Sequence, residues 1–322
     1  WITRHSDLPW ASFAYSSVRG SARMRADLHT HTTCSDGKSS PLEIVKRAKK
    51  EGLDVIAITD HDSMRAYDEL AKGEPGNEEF AYDSTIATAA TSTPFPTLIP
   101  GAEMTAKDEG VSVHLLAYGL DPSREDVKTL MASQRNSRKK RVERILEMLA
   151  VKGVSVEMDE VLFEAGRANL GRPHVAAALI RKNVVQSIQE AFTRYLNPEA
   201  LEGLAKGYPT SAELIPKLKS LGGVVILAHP GRLWTLEEMD QFRAQGVDGL
   251  EVIHPSHNYE LQKTLGQYAD RHHLLKTGGS DYHGDGEQYH AYFGIVTITS
   301  DWVTRLQEAI GRRGGLKTWA PA

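Results

Sequence analysis

The most constraining feature of this chain is the recurrence of histidine and acidic residues at the ends of short apolar segments. The six places are Asp27-Leu28-His29-Thr30-His31, Thr59-Asp60-His61-Asp62, Glu103, His114, His229 and Asp281-Tyr282-His283. Alternate residues of a strand share a face, so Asp27, His29 and His31 are expected to point the same way. Active sites of barrel folds lie at the carboxyl ends of the strands. The pattern therefore predicts a polar site assembled from several strand ends.

The apolar segments themselves are rich in Val, Ile and Leu and alternate with helical patterns, which is typical of an α/β sheet or barrel. The predicted strands are Arg25–His31, Val55–Thr59, Leu98–Glu103, Ser112–Tyr118, Val224–Ala228, Gly249–Ile253, Leu274–Gly278 and Phe293–Thr297. Capping-box patterns at Ser40-Pro41-Leu42-Glu43 and Thr210-Ser211-Ala212-Glu213 predict two helix starts. The fold class expected is α/β.

One long region interrupts this alternation. Residues 121–209 contain several helical patterns and no convincing strand, and one pattern, Gln134–Lys152, is strongly basic. We interpret residues 121–209 as a helical insertion in a barrel domain made of residues 24–120 and 210–322. Residues 1–23 are expected to form an N-terminal extension, and Gly73–Pro96 a loop or irregular helix.

Bulk properties exclude some classes of function. The 322 residues carry a net charge of −4, so the chain as a whole has no basic character that would favour nucleic-acid binding. The single cysteine, Cys34, permits no intrachain disulfide. No apolar run approaches the roughly 20 residues of a membrane helix, and no signal peptide is recognisable. We expect a cytoplasmic protein without a membrane or an obligate protein partner.

Nine residues of the recurring pattern are candidate metal ligands. They are His29, His31, Asp36, His61, Glu103, His114, His229, Asp281 and His283. Nine ligands are too many for one ion, and a bridging carboxylate would let three sites share them. Six imidazoles with three carboxylates suit Zn, Mn or Fe, whereas Ca and Mg prefer oxygen ligands alone.

Taken in order, the motifs DxHxH, SDG, TDHD, GxE, AHP and GSDxH resemble those of the polymerase and histidinol phosphatase (PHP) family of metallo-phosphoesterases. The resemblance covers Met24 to Tyr118 and Leu214 to Ile298. It implies a distorted (β/α)7 barrel with three divalent metal ions. The implied sites are His29, His31, Glu103 and Asp281; Glu103, His114 and His229; and Asp36, His61 and His283. Glu103 would bridge the first two.

Other residues are expected to support this centre. Asp27, Asp60 and Asp62 fall outside the usual ligand positions and are interpreted as support for ligating histidines. A metal-activated water would attack the phosphate, so no protein nucleophile is needed. Cys34 is interpreted as a small residue of the turn. His257, or as second choice His254, follows a strand and could act as general acid; either could equally be a packing histidine.

A separate motif bears on the substrate. Gly171-Arg172-Pro173-His174 is similar to a GRPH segment in a branch of the family that removes the 3′-phosphate from nucleotide 3′,5′-bisphosphates or trims short RNA from its 5′ end. Arg172 could clamp a phosphate and His174 could add a contact, although a local ion pair would also explain Arg172. The basic helix Gln134–Arg144 is more often a solvated face, but it could line a groove for a polyanion.

The sequence therefore predicts a metal-dependent phosphoesterase whose substrate is a nucleotide or short oligonucleotide, with an AMP-like product and inorganic phosphate. Histidinol-phosphate-type phosphatase activity is an alternative, which the GRPH segment disfavours. A non-catalytic metal or nucleotide sensor is a second alternative, which the full ligand set disfavours. A deaminase-like amidohydrolase remains compatible with a barrel, because fold alone does not fix the chemistry.

Overall fold

The computed structural model describes residues 24–72, 95–108, 111–197, 200–201, 203–204, 207–231 and 234–320. The expected N-terminal extension, residues 1–23, lies outside the described residues. Most of the segment Gly73–Pro96 also lies outside them.

Eight strands form two sheets in the described part of the chain. The first sheet is parallel and has the order β1 (Ala26–Thr30), β2 (Val55–Ile58) and β3 (Thr97–Leu98). The second follows chain order through β4 (Gly101–Asp108), β5 (Val111–Tyr118), β6 (Val224–Leu227), β7 (Gly249–Ile253) and β8 (Leu275–Gly278). In this sheet β5 runs antiparallel to both neighbours, and the last three strands are parallel.

Single bridges join the two sheets at both ends of their strand order. Thr30 bridges to Tyr282 just after β8, and His61, just after β2, bridges to Glu103 in β4. Only two residues separate β3 from β4, so the two together serve as one bent strand of the barrel. Counted in this way, the barrel wall has seven strands. The predicted α/β fold, a distorted (β/α)7 barrel, is confirmed.

Two strand predictions need correction. The predicted strand Leu98–Glu103 is broken, because Pro100 between β3 and β4 has no N–H to give to a ladder. The predicted strand Phe293–Thr297 is wrong. The N–H groups of Ile295 and Val296 both donate to the carbonyl of Tyr292, so this backbone forms a local turn. Only Ile298 pairs with β1, at Ala26.

Ten α-helices are described. They are α1 (Pro41–Lys50), α2 (Arg65–Lys72), α3 (Glu125–Val151), α4 (Met158–Ala165), α5 (Arg172–Arg181), α6 (Ile188–Arg194), α7 (Ser211–Ser220), α8 (Leu236–Gln245), α9 (Tyr259–Arg271) and α10 (Ser300–Arg313). Both predicted capping boxes are present, with Ser40 at the start of α1 and Thr210 at the start of α7. Among the described residues, no helix combines the length and the apolar character needed to cross a membrane.

Helices α3–α6 lie between β5 and β6 and share an apolar core of their own, which includes Ile145, Leu149 and Leu179. The basic part of α3 is not simply a solvated face. Gln134 and Arg138 are buried, and both side chains bond the carboxylate of Asp62. The charge of Arg138 is thereby compensated inside the protein, and α3 is fastened to the barrel.

Gly249 in β7 tests the packing of the barrel wall. A Cβ at this position would lie 2.4 Å from the carbonyl oxygen of Leu275 and 2.7 Å from Cδ1 of Ile226. Gly249→Ala is expected to lower the free energy of unfolding by about 1–3 kcal/mol, as overpacking generally does. Urea unfolding would show this as a lower midpoint at unchanged slope.

Gly266 in α9 is the matched control, since the nearest atom to its added Cβ would be Cγ1 of Val252 at 3.9 Å. Gly266→Ala should leave stability unchanged or raise it by up to about 1 kcal/mol, because alanine favours helix. Equal destabilisation by both substitutions would contradict this account of the barrel wall.

Candidate metal centre

Glu103 lies at the centre of the site, and its side chain is 1% exposed. Its main chain joins the two sheets, because its N–H donates to the carbonyl of Thr59 at 3.0 Å and its carbonyl accepts from Asp62 N at 2.8 Å. Five imidazoles surround its carboxylate: His29 at 3.4 Å, His31 at 3.3 Å and His61 at 2.9 Å from Oε2, and His114 and His229 at 2.9 Å from Oε1.

The sequence predicted a strand that ends at Glu103, but the strand continues beyond it. Glu103 is the third residue of β4, which continues to Asp108 because it pairs with β5 along its whole length. His114 in β5 lies opposite Thr105, two residues beyond Glu103. Residues two apart share a strand face, so this hairpin directs Glu103 and His114 to the same side.

Two aspartates extend the cluster on either side of Glu103. Oδ1 of Asp281 lies 3.3 Å from His29 Nε2 and 3.2 Å from His31 Nε2. Asp36 lies 3.7 Å from His61 Nε2 and 3.4 Å from His283 Nε2. All nine predicted ligands are thus brought together.

Four groups within the cluster have ligand atoms that all lie within 4.8 Å of one another. They are His31, Asp36, His61 and His283; His29, Glu103 and His229; His29, His31 and Asp281; and His61, Glu103 and His114. The set implied around Asp36 is present with His31 added. Glu103 belongs to two groups, as a bridging ligand would.

Several donor atoms of the cluster are arranged as ligands of a cation would be. Asp36 Oδ1, His61 Nδ1 and His114 Nδ1 are buried without a hydrogen-bond partner among the described residues. The two imidazole atoms lie 2.9 Å from Glu103 oxygens, yet are not aligned to hydrogen-bond with them. Buried polar atoms are rarely left unpaired. Nitrogen and oxygen atoms converging in this way fit divalent transition-metal ions.

The electrostatics keep the carboxylates ionised. Burial raises the pKa of Glu103, Asp36 and Asp281, but the surrounding imidazoles outweigh burial and hold each pKa well below its usual range. Burial likewise opposes protonation of His283, yet Asp36 and Asp281 raise its pKa to about 10. The ionised carboxylates give the cluster the negative charge that a cation needs.

Two of the candidate ligands have a left-handed backbone, His229 with φ 24° and Asp281 with φ 50°. They closely follow β6 and β8, so the chain bends where each strand ends. This conformation costs a non-glycine residue on the order of 1–3 kcal/mol and is concentrated at functional sites. The bends carry these side chains to the cluster.

A cavity of about 180 Å³ opens beside the cluster. Asp36, His61, His114 and His283 form one part of its lining, and Arg138, Arg141, Arg172 and Tyr208 form another. A larger cavity, of about 860 Å³, is lined by α2 residues such as Arg65 and Glu69 and by none of the nine candidate ligands. Because the smaller cavity contains both candidate ligands and arginines, it is the better candidate for substrate binding.

The PHP domain model matches residues 27–197, more than half of the chain. The chain belongs to the PHP family. A 5′-3′ exoribonuclease of Haemophilus influenzae is 29% identical over 80% of this chain and 89% of its own. A 3′,5′-nucleoside bisphosphate phosphatase of Chromobacterium violaceum is 28% identical over 81% of this chain and 88% of its own.

Among solved structures, a metal-dependent phosphoesterase from Bifidobacterium adolescentis superposes with a TM-score of 0.70 and 35% identity, covering 88% of this chain and 96% of its own. The predicted PHP membership and the predicted reaction class, a metal-dependent phosphoesterase, are confirmed.

The three acids expected to support ligating histidines in this PHP protein instead bond main-chain N–H groups and, for Asp60 and Asp62, neighbouring polar side chains. Asp27 accepts from the N–H groups of His29 and Ser280, at 3.3 and 2.9 Å, and so ties β1 to the segment after β8. Burial raises the pKa of Asp27 to about 7. Asp60 accepts from the N–H and hydroxyl of Thr32 and from the hydroxyl of Ser35.

Asp62 bonds the N–H and hydroxyl of Thr105, both at 2.8 Å, together with Gln134 and Arg138 of α3. In the described structure, none of these three acids forms an ion pair with an imidazole of the cluster. They position the segments that carry the ligands, and Asp62 also connects the cluster to α3.

Glu251, in β7, was missed by the sequence analysis. Its Oε1 lies 2.9 Å from His29 Nδ1, and its Oε2 accepts from the N–H of His229 at 2.7 Å. It stands inside a predicted strand, and no sequence motif marks it. An acid within an apolar strand was the available signal, because burying a carboxylate is costly unless it is paired. Glu251 leaves Nε2 of His29 free to face the cluster.

The two candidate general acids differ in their contacts. Nδ1 of His257 donates to the carbonyl of Val252 at 3.0 Å, and its Nε2 accepts from Gly231 N at 3.1 Å. Both nitrogens are therefore used by the main chain. Nε2 of His254 instead lies 3.3 Å from Asp281 Oδ2. These contacts favour His254 and reverse the predicted order of preference.

The GRPH motif begins α5 as expected, but its two polar residues have different surroundings. Arg172 lines the cavity with its guanidinium 5.2 Å from the centre of the Phe192 ring. Burial and the neighbouring Arg141 and Arg138 lower its pKa to about 10. Nδ1 of His174 accepts from Gly171 N at 3.0 Å. His174 is not among the residues that line the cavity, so the predicted phosphate contact lacks support.

Glu251→Gln tests whether Glu251 supports the metal centre. The substitution keeps an oxygen that can accept from His229 N–H but removes the charge beside His29. We expect the affinity for Zn²⁺ to fall roughly 10- to 100-fold, as is typical when the partner of a ligating histidine is lost. Competition with a chromophoric zinc chelator would measure it.

Glu260→Gln is the matched control, because it also removes one negative charge but lies on the exposed surface of the following helix α9. Its zinc affinity should equal that of the unmodified protein. An unchanged affinity in Glu251→Gln would show that His29 does not depend on this carboxylate.

Proposed function

We propose that this PHP protein removes the 3′-phosphate from nucleoside 3′,5′-bisphosphates or trims short oligonucleotides, with an AMP-like nucleotide and inorganic phosphate as products. The observation that carries the proposal is the cavity in which Asp36, His61 and His283 share one lining with Arg141 and Arg172. A substrate with two phosphates could place one against the metal centre and the other against the arginines. Of the two relatives named above, one is named as a 3′,5′-nucleoside bisphosphate phosphatase and the other as a 5′-3′ exoribonuclease.

We further propose that the nine ligands hold three divalent ions, of Mn, Fe or Zn. The four donor groups and the shared Glu103 support a multinuclear centre. Divalent ions bound there would neutralise charge on phosphate oxygens and lower the pKa of water. The chain's own contribution is to fix the donors through Glu251, Asp27 and the bends at His229 and Asp281.

The charge balance of the cavity supports an anionic group at the arginine end. Asp62 compensates Arg138. Arg141 and Arg172 form no ion pair with a carboxylate of the described residues, and the buried Nε of Arg141 has no hydrogen-bond partner there. Cations that are partly withdrawn from water without a counter-charge are costly. A phosphate would offset this cost and could accept bonds from both guanidinium groups.

His254 is the residue we propose to protonate the leaving oxygen. Its Nε2 lies at the edge of the cluster, beside Asp281. A proton donor of this kind typically contributes 10²- to 10⁴-fold to the rate when the leaving group is a poorly stabilised alkoxide. His257 is left a packing role, because its ring bonds two main-chain groups.

A substrate panel tests the proposed activity. Protein loaded with Mn²⁺ is expected to release phosphate from adenosine 3′,5′-bisphosphate faster than from histidinol phosphate, because histidinol phosphate brings no second phosphate to Arg141 and Arg172. Removing the metal with a chelator should abolish release, and adding it back should restore release. Inorganic phosphate and nucleotide products would be quantified by chromatography.

The panel also separates the alternatives. Faster turnover of histidinol phosphate would favour a small-molecule phosphatase. Metal binding without turnover of any nucleotide bisphosphate or short oligonucleotide would contradict the proposal and favour a sensor.

Arg172→Ala tests the second phosphate contact. We expect kcat/KM for adenosine 3′,5′-bisphosphate to fall roughly 10- to 100-fold, the equivalent of one charge-assisted contact. Hydrolysis of 3′-AMP, which lacks the second phosphate, should change little. Arg172→Lys should recover only part of the loss, because an ammonium lacks the planar fork.

Arg194→Ala provides a surface control, since Arg194 is exposed and pairs with Glu190 within α6. Arg194→Ala should leave kcat/KM unchanged for both substrates. Equal losses on bisphosphate and monophosphate in Arg172→Ala, with a native circular dichroism spectrum, would argue against a phosphate clamp.

A further inference from the structure

The His254 ring is held at both nitrogens. Nδ1 lies 3.1 Å from the N–H of Ser256 and 2.7 Å from its hydroxyl, and Nε2 faces Asp281 Oδ2 at 3.3 Å. A main-chain N–H can only donate, so Nδ1 is the acceptor while the ring is neutral, and the neutral ring carries its proton on Nε2, toward the metal cluster. The imidazolium form, which can protonate a leaving oxygen, would carry its second proton on Nδ1, where the Ser256 hydroxyl can accept it, and transfer of the Nε2 proton then leaves a neutral ring.

The Tyr289 ring packs against the His254 ring. The two rings meet edge-on, with the ring centres 5.3 Å apart and the planes at 81°. Burial and the charge of Asp281 raise the pKa of Tyr289, and the side chain of Ser256 partly offsets that rise, so the phenol lies near Ser256. Tyr289 thus contacts the imidazole and lies near the residue that fixes its Nδ1.

The backbone at Tyr289 indicates that this placement is not incidental. Its φ is 67°, in the left-handed region, immediately before the short 3₁₀ turn His290–Tyr292. A bulky aromatic residue rarely adopts this conformation, which costs on the order of 1–3 kcal/mol and is found preferentially at functional sites. The local turn does not need a tyrosine, because any residue can supply the carbonyl that accepts from Tyr292 N.

We propose that Tyr289 is a positioning residue for the reaction: with Ser256 it holds the His254 ring so that Nε2 faces Asp281 at the edge of the metal cluster. Its importance for turnover rests on the proposed role of His254 as proton donor. The effect of Tyr289 on the orientation of the His254 ring does not depend on that role. Turnover and ring orientation can be measured separately.

Tyr289→Ala and Tyr289→Phe separate the ring contact from the hydroxyl contact. Loss of the ring is expected to lower kcat for adenosine 3′,5′-bisphosphate roughly 10- to 100-fold, since small misplacements of a catalytic group have effects of this size. KM should stay within about twofold, because Tyr289 does not line the substrate cavity. Phenylalanine, which keeps the edge-on packing, should retain kcat within about threefold.

The leaving group distinguishes positioning of a proton donor from general damage. 4-Nitrophenolate leaves readily without a proton, whereas the ribose oxygen of a nucleotide does not. Tyr289→Ala and His254→Gln should each lose far less activity on 4-nitrophenyl phosphate than on the bisphosphate. The double variant should be no slower than His254→Gln alone, because both changes disable the same group.

Nitrogen-15 NMR of the zinc-loaded protein gives a readout that needs no turnover. Long-range proton–nitrogen correlations report which imidazole nitrogen carries the proton, and the His254 signals are identified by their loss in His254→Gln. The unmodified protein and Tyr289→Phe should show protonated Nε2. Tyr289→Ala should show altered or averaged signals. Tyr259→Ala, at a tyrosine that is 70% exposed at the start of α9, is the matched control and should change nothing.

Two results would overturn the proposal: His254 signals in Tyr289→Ala identical to those of the unmodified protein, or equal losses of activity on the two leaving groups. If the unmodified protein hydrolyses neither ester, the proposed function fails, while the NMR comparison still decides whether Tyr289 fixes the His254 ring.

Discussion

The carboxylate of Glu103 is the constraint on which the rest of the site depends. Its main chain bonds Thr59 and Asp62 and so joins the two sheets of the barrel. Its side chain lies within 3.4 Å of five imidazoles that come from β1, β5 and the segments after β1, β2 and β6. A buried carboxylate is costly without compensation, so Glu103 and the histidines around it stabilise one another. Closure of the barrel and assembly of the donor cluster therefore depend on the same residue.

Eight of the nine candidate ligands could be identified from the sequence because each belongs to a short motif whose spacing shows in the chain, whereas His114 stands alone within an apolar segment. His29 lies in β1 and His31 directly follows it, while Asp281 and His283 lie in the segment just after β8. Glu251 escaped prediction since its partners, His29 and His229, come from distant parts of the chain. The same limit applies to His257, whose bonds to Val252 and Gly231 are visible only once the loops are folded.

Local chemistry also decided where the strand predictions held. The apolar pattern identified β7 to the residue, because both ends of this strand are set by polar neighbours. It failed at Phe293–Thr297, where apolar residues pack against the barrel from a turn without taking part in a ladder. Burial and strand pairing both select apolar side chains, so hydrophobicity alone cannot separate them. Only the backbone bonds of Ile295 and Val296 to Tyr292 distinguish the two outcomes.

Asp62 explains how the helices after β5 can influence chemistry at the barrel. Its carboxylate holds Thr105 next to the cluster and, on its other side, Gln134 and Arg138 of α3. This fixes one face of α3 against the metal centre, and Arg141 lies one turn further along that face. Arg138 is neutralised by the anchor itself, which leaves Arg141 and Arg172 as the cavity's unbalanced charges. The barrel would then determine the reaction and the helices the substrate, so substitutions in α3 or α5 could change specificity while the donor geometry around Glu103 stays intact.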